Sequence, residues 1–282
     1  MPRLDTVIFP VAGMGTRMLP ATKVTPKELL PVYDTPLLQF ALDEALAAGA
    51  RRLVFVSHPD KSSIEDYVRP APVLEKSLAA KGKNALLDAV RATVLPDDVE
   101  VVFTMQPEPL GLGHAVLCAA DHVLPGPVGV ILPDDLILGR PCLQEMSEAF
   151  VPGDMSALIA AQKVRPEQVS SYGVFDCDEN TTGSALPAEG FVEKPSVGEA
   201  PSTLAAVGRY ILDQGIFVTL RDTTPGAGGE IQLTDAIASL GGIHAFRFSG
   251  ERHDCGDKDG IVKATLAVQR DRGRGHLTVA AE

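Results

Sequence analysis

The sequence predicts an α/β fold in which a mixed, mainly parallel β-sheet is flanked by helices and followed by a C-terminal β/α elaboration. Two observations carry this expectation. Short β-branched runs alternate with stretches of helical periodicity through the N-terminal half, the pattern of βαβ units. After about residue 150 the alternation loosens into strand-like runs separated by Pro- and Gly-containing loops, and helical periodicity returns only near the end.

Taken in order, Thr6–Pro10, Arg52–Ser57, Glu100–Met105 and Val128–Leu132 read as strands. Pro36–Ala48, Ser62–Val68, Asn84–Thr93 and Leu112–His122 read as the helices between them. Ligands of such sheets sit at the carboxyl ends of the strands, so the loops after Pro10, Met105 and Leu132 are where a site is expected. Met155–Val164, Tyr172–Cys177, Gly190–Glu193 and Ala205–Leu212 are strand-like, and Glu230–Leu240 and Asp257–Gln269 are helical. With no long polar linker and no internal repeat, the expectation is one domain over residues 1–271. Its first part covers about 1–150 and its second about 151–271, with a frayed tail over 272–282 in which Leu277–Val279 could dock on a neighbour.

Composition narrows the function. A chain of 282 residues can bury a core without disulfide or metal staples, and 45% hydrophobic with 22% charged residues excludes disorder and collagen-like repeats. A net charge of -12 repels a polyphosphate backbone, and the chain has no Trp and only 5% aromatics, so no nucleic-acid partner is expected. The four cysteines are far apart with no CxxC, which predicts reduced thiols rather than a zinc site. No apolar run approaches the ~20 residues of a membrane span, and no signal peptide precedes the first strand, so no membrane and a cytoplasmic location are expected.

The loop after the first predicted strand is the most informative segment. Gly13 and Gly15 permit a sharp turn that brings backbone N–H groups close to an anion. A dinucleotide-binding fingerprint needs a third glycine where Met18 stands, and a Walker A loop needs a GK[ST] that is missing. Between Asp5 and Glu28 there is no acidic residue, whereas Arg17, Lys23 and Lys27 fall in that window. Pro20, Pro26 and Pro31 stiffen the loop. A local cationic turn on an acidic chain points to a triphosphate.

The run GMGTRMLPATKVTPKELLPV over residues 13–32 resembles the signature of the sugar-1-phosphate nucleotidylyltransferases, and the later motifs resemble the uridylyl-transferring bacterial branch of that family. The resemblance spans roughly residues 5–270. It implies a Rossmann-like mixed sheet and a Mg²⁺-dependent reaction of UTP with glucose 1-phosphate that yields UDP-glucose and pyrophosphate. It also implies a homodimer or homotetramer, with a nucleotide-binding part over about 1–150 and a sugar-binding part over about 151–271. By the same resemblance Ala12, Gly13 and Gly15 contact the nucleotide, while Arg17 and Lys27 hold the triphosphate and the departing pyrophosphate.

The remaining motifs take roles accordingly. Gln106 can offer a donor and an acceptor to a pyrimidine edge, and Gly111 leaves room for a flat base; His114 beside them is expected to be structural. Asp134, at the end of a buried strand, resembles the family's metal-binding aspartate, with Asp254 as its distant partner. Hard carboxylate oxygens suit Mg²⁺. Asp135 either bonds the sugar or caps the turn. Glu193 is expected to accept hydrogen bonds from sugar hydroxyls, Lys194 to bridge the two phosphates, and Gly173 to approach the sugar ring. Glu230 is read as a helix cap ahead of a sugar contact. A thymidylyltransferase using dTTP and a non-catalytic nucleotide-sugar-binding paralogue remain the alternatives.

Overall fold

A computed structural model describes residues 4–59 and 61–279. The N-terminal half contains β1 (Thr6–Pro10), the short hairpin β2 (Pro31–Val32) and β3 (Thr35–Pro36), α1 (Leu37–Ala47), β4 (Arg52–Ser57), α2 (Ser62–Tyr67), α3 (Pro72–Ala80), α4 (Asn84–Arg91), β5 (Glu100–Met105), α5 (Leu112–Cys118), β6 (Val128–Ile131), β7 (Asp135–Leu138) and α6 (Cys142–Ala149). The rest contains β8 (Ala157–Lys163), β9 (Gly173–Asp176), β10 (Ala185–Ala188), β11 (Gly190–Glu193), β12 (Leu204–Leu212), α7 (Gly215–Asp222), α8 (Leu233–Ala238), β13 (Ile243–Arg247), β14 (Glu251–Asp254) and α9 (Lys258–Val279). Among the described residues, no helix is long and apolar enough to cross a membrane.

One sheet of ten strands runs through both halves in the order β10-β13-β8-β12-β6-β1-β4-β5, with β9 attached to β12 and β11 paired to β9. The four strands expected from the N-terminal alternation, β6, β1, β4 and β5, lie side by side and parallel. Their β-branched and aromatic residues are nearly all buried in the three inner strands, as a sheet covered by helices on both faces requires. Phe9, Phe55 and Phe103 occupy one register line across β1, β4 and β5 and stack with ring centroids 5.0 and 4.9 Å apart. That stack fixes the strands against sliding by one residue, which would turn every side chain to the other face.

The parallel register places four loops at one edge: the glycine loop after Pro10, the segment after Ser57, the segment after Met105 and the turn after Ile131. Antiparallel β12 brings Gly208 to the same edge, where its carbonyl accepts from Leu132 N (2.8 Å). The two-stranded β7–β14 ladder pairs Asp135 with Asp254.

Several boundaries differ from expectation. The helix from Leu112 ends at Cys118 and continues only as a 3₁₀ turn over Ala120–His122. The helix expected from Glu230 begins at Leu233, with extended backbone before it. The last helix does not stop near Gln269 but continues to Val279, so Leu277–Val279 belongs to it; residues 280–282 of the expected tail lie outside the described residues. Strands β2, β3, β7, β10, β13 and β14 and helices α3, α6 and α7 were not expected. These strands are two to five residues long and each carries a charged or proline residue, too little for a period of two to stand out.

Behind the site edge sits a buried ion pair. Arg209 on β12 is fully buried and donates to both oxygens of Glu44 on α1 (2.8–2.9 Å), and also to the carbonyls of Leu132, Gly208 and Asp135. Glu44 in turn accepts from Leu143 N of α6 (2.9 Å). Every donor of that guanidinium is used, which is what makes such burial tolerable. Arg209→Met strands the Glu44 carboxylate and is expected to lower stability by about 3–5 kcal/mol, with partial recovery on adding Glu44→Leu. Urea unfolding midpoints of the two variants check this, and an unchanged midpoint in Arg209→Met contradicts it.

Candidate active site

The glycine loop is shaped from within. Gly15 has φ 61°, and a Cβ there would stand 3.1 Å from Lys27 Cβ and 3.2 Å from Thr22 Cγ2, so only glycine lets the loop close on itself. Thr22 Oγ1 donates to Gly15 O (2.8 Å). Short 3₁₀ turns at Thr16–Met18, Ala21–Lys23 and Lys27–Leu29 return the chain so that Lys27 lies over Gly13.

Beneath the loop, Lys61 Nζ donates to Glu28 Oε2 (2.9 Å) and to Val11 O (2.6 Å), with side-chain exposures of 8% for Lys61 and 0% for Glu28. Burial pushes the Glu28 carboxyl up and the Lys61 ammonium down, and each partner's charge opposes the shift. The pair ties the first residue of the loop to the start of α2. Neither residue was expected from the sequence, although Lys61 falls in the loop after a parallel strand, where side chains point toward such a site.

Lys27 Nζ donates to Asp134 Oδ2 at 2.5 Å. Burial alone would raise the Asp134 carboxyl, but Lys27's charge and hydrogen bond, with a contribution from Arg17, hold it below the ordinary carboxylate range. Burial alone would likewise lower Lys27, and the carboxylates of Asp134 and Glu28 raise it instead. Asp134 O accepts from Cys255 N (2.7 Å), which draws the end of β14 alongside. There Asp254 Oδ1 accepts from Gly256 N (2.9 Å), and a Cβ on Gly256 would stand 3.3 Å from an Arg17 guanidinium nitrogen and 3.0 Å from Asp254 Oδ1. Arg17, Lys27, Asp134 and Asp254 therefore share one corner. Packing behind it is tight: a Cβ on Gly260 of α9 would fall 1.8 Å from Asp254 O.

Two cavities meet at this corner. One, of about 370 Å³, is lined by Ala12, Gly13, Lys27, Gln106, Gly111 and Asp134 among others. The other, of about 440 Å³, is lined by Arg17, Asp134, Asp135, Gly173, Glu193, Lys194 and Asp254 among others. They share Leu112, Leu132, Asp134 and Glu230, so they form one cleft. Every residue expected at the site lines it except Gly15, whose part is the turn. A larger cavity of about 810 Å³ lies beside β8 and β13, but its Lys163 and Arg247 are paired with Glu179 and with the carbonyls of Glu179 and Thr181.

In the first cavity Gln106 is buried and its Nε2 donates to Gly111 O (3.0 Å) and meets His114 Nδ1 (3.2 Å). Both amide hydrogens are thereby used, so Gln106 offers a ligand its acceptor oxygen alone, not the donor and acceptor expected. Gly111 has φ 93°, and a Cβ there would stand 2.8 Å from Glu230 Cβ. In the second cavity Glu193 Oε2 accepts from Thr234 Oγ1 (2.6 Å), and Oε1 faces Lys194 Nζ (3.0 Å). Thr234 went unnoticed in the sequence because its role depends on α8 packing against β11. Gly173 lies under Phe191, with no room for a side chain: a Cβ would be 2.8 Å from that ring.

Two expectations change. Asp135 does not cap its turn: Arg252 Nε donates to Oδ1 (2.6 Å) and Gly208 N to Oδ2 (2.8 Å), so the carboxylate knits β7, β12 and β14 together on the cavity floor. Glu230 does not cap α8, whose N-terminal residue is flanked by Gln232; its side chain accepts from Gln232 Nε2 (3.0 Å) and lies where the two cavities join.

The nucleotidyl transferase family profile matches residues 7–271. The chain belongs to the nucleotidyl transferase family. This nucleotidyl transferase is 42% identical to the UTP–glucose-1-phosphate uridylyltransferase of Escherichia coli K12, over 99% of this chain and 94% of that one. It is 40% identical to the Bacillus subtilis protein of the same name, over 94% and 91%. Its fold superimposes on a UTP-bound UGPase from Acinetobacter baumannii with a TM-score of 0.85 at 39% identity, covering 94% of this chain and 93% of that one. A UDP-glucose pyrophosphorylase complexed with UDP-glucose gives 0.83 at 35%, covering 95% and 99%.

Because the folded-state pKa of Asp134 is depressed, its contribution to stability is full above the unfolded value near 4 and is lost as pH falls through the folded value. Urea midpoints of the metal-free nucleotidyl transferase across the acid range are therefore expected to fall more steeply than those of Asp134→Asn. Parallel curves contradict the assignment.

Proposed function

We propose that this nucleotidyl transferase moves a uridylyl group from UTP to glucose 1-phosphate, releasing pyrophosphate and forming UDP-glucose. One observation carries the reading: a glycine-loop cavity holding Lys27 and a cavity lined by Arg17, Glu193 and Lys194 open into each other at Asp134, so two substrates can lie end to end. The named relatives support the choice of nucleotide and sugar.

In this reading a phosphate oxygen of the sugar phosphate attacks the α-phosphorus of UTP, the bond to the β-phosphate oxygen breaks, and pyrophosphate leaves with that electron pair. The nucleophile is already ionised near neutral pH, so no general base is required. What the protein supplies is positioning and charge. Gly13 and the loop backbone approach the triphosphate, and Arg17 and Lys27 hold its outer phosphates. Lys194, whose side chain is 58% exposed and is opposed by Glu193 alone among the described residues, reaches the phosphates that must be brought together. Glu193, with Oε2 held by Thr234, accepts from sugar hydroxyls.

Asp134 and Asp254 fit a divalent cation by donor chemistry: both are carboxylates, Asp134 is held ionised, and two such ligands with substrate phosphates are the ordinary Mg²⁺ set. When bound there, Mg²⁺ would neutralise phosphate charge. We assign the reaction to the cytoplasm, which holds its nucleotide.

Pyrophosphate release from each nucleoside triphosphate paired with glucose 1-phosphate tests the reading, with UTP expected to exceed dTTP. Lys27→Ala and Lys194→Ala are each expected to cut turnover by about a hundredfold or more, the cost of losing one charge-stabilising donor, while the Lys194 variant keeps its unfolding midpoint. Near-normal turnover in either variant contradicts the assigned roles.

A further inference from the structure

We propose that His114 is a positioning residue that sets pyrimidine selectivity by holding the Gln106 amide with its oxygen toward the base. The inference rests on the uridylyl reading above and adds to it a residue that touches neither nucleotide nor metal.

The argument begins with Gly111 O. A carbonyl can only accept, so the Gln106 atom 3.0 Å from it is the amide nitrogen. The second hydrogen of that nitrogen points at His114 Nδ1, 3.2 Å away, which must therefore present a lone pair. In a neutral imidazole the proton then sits on Nε2, and Nε2 faces Cys118 Sγ at 3.8 Å, one helical turn along α5. Burial pushes the Cys118 thiol up, so the sulfur that receives this contact is neutral. Donation along these contacts is consistent in one direction only, from Gln106 through His114 to Cys118.

Gln106 Oε1 makes no hydrogen bond among the described residues, and it is not among the sealed, unsatisfied atoms, so it opens on the cavity. An acceptor at that point matches the N3–H of uracil. Cytosine held in the same placement turns a lone pair toward it and is repelled. Thymine carries the same N3–H, so this device separates uracil and thymine from cytosine and leaves UTP against dTTP to other contacts. Two acceptors hold the amide in this orientation, and His114 is the one a substitution can remove without touching backbone.

The experiment measures kcat/KM for UTP and for CTP, each with glucose 1-phosphate, in the wild type, His114→Leu and His114→Asn. The wild type is expected to favour UTP. His114→Leu lacks the lone pair and is expected to lower the UTP:CTP ratio by about tenfold, through a raised KM for UTP with kcat nearly kept, as loss of one hydrogen bond predicts. His114→Asn restores an acceptor and is expected to recover much of the ratio, which a role in packing alone would not do. An unchanged ratio in His114→Leu, or an Asn variant no better than the Leu variant, overturns the proposal. If His114→Leu fails to fold, His114→Ala is read in the same way. Absence of UTP turnover in the wild type removes the uridylyl reading itself and the proposal with it, whereas a UTP-specific wild type with an unresponsive ratio removes the proposal alone.

Discussion

Lys27 and Asp134 neutralise each other at the point where the two halves of the cleft meet, and the site is arranged around that contact. A chain of net charge -12 that must gather two anionic reactants needs cations within its cleft, yet bare cations at a cleft floor repel one another. They are kept there by carboxylates set beside the ammonium and guanidinium groups: Asp134 beside Lys27, Glu193 beside Lys194, and Asp254 beside Arg17. Each cation thus faces the cleft with a counter-charge that a phosphate or a metal can replace.

Behind these exchangeable pairs stand two fixed ones. Glu28–Lys61 anchors the glycine loop from below, and Glu44–Arg209 clamps the turn between β6 and β7 from behind. Their burial strengthens the attraction and raises the cost of breaking either, which suits parts that should not move when substrate arrives. The distinction between mobile and immobile ion pairs follows from depth in the fold rather than from residue type.

That distinction also sets how much could be read from the chain. Strands β1, β4, β5 and β6 were legible because β-branched runs followed by turn residues are local patterns, and the glycine loop was legible because its charge contrasts with the whole chain. Most of the cleft lining followed from motifs at strand ends. Glu44, Lys61, Arg209, Thr234 and Arg252 were not legible: each acts through a partner from 33 to 165 residues away in sequence. Glu230 was misread because a glutamate before a helix resembles a cap until the backbone is seen to stay extended through Gln232. Asp135 was half-read, since its place on a strand end was visible and its hold on β12 and β14 was not.

The join between β14 and α9 has a consequence for how the molecule is made. Asp254 is locked against Gly260 and follows β13, the strand that inserts in parallel beside β8. Protein synthesis delivers the amino-terminal parts first. A nascent chain therefore possesses its glycine loop and Asp134 long before the second carboxylate exists. Through that stretch of synthesis it carries one carboxylate of the pair without its mate, and the pair is complete only when the final ladder closes.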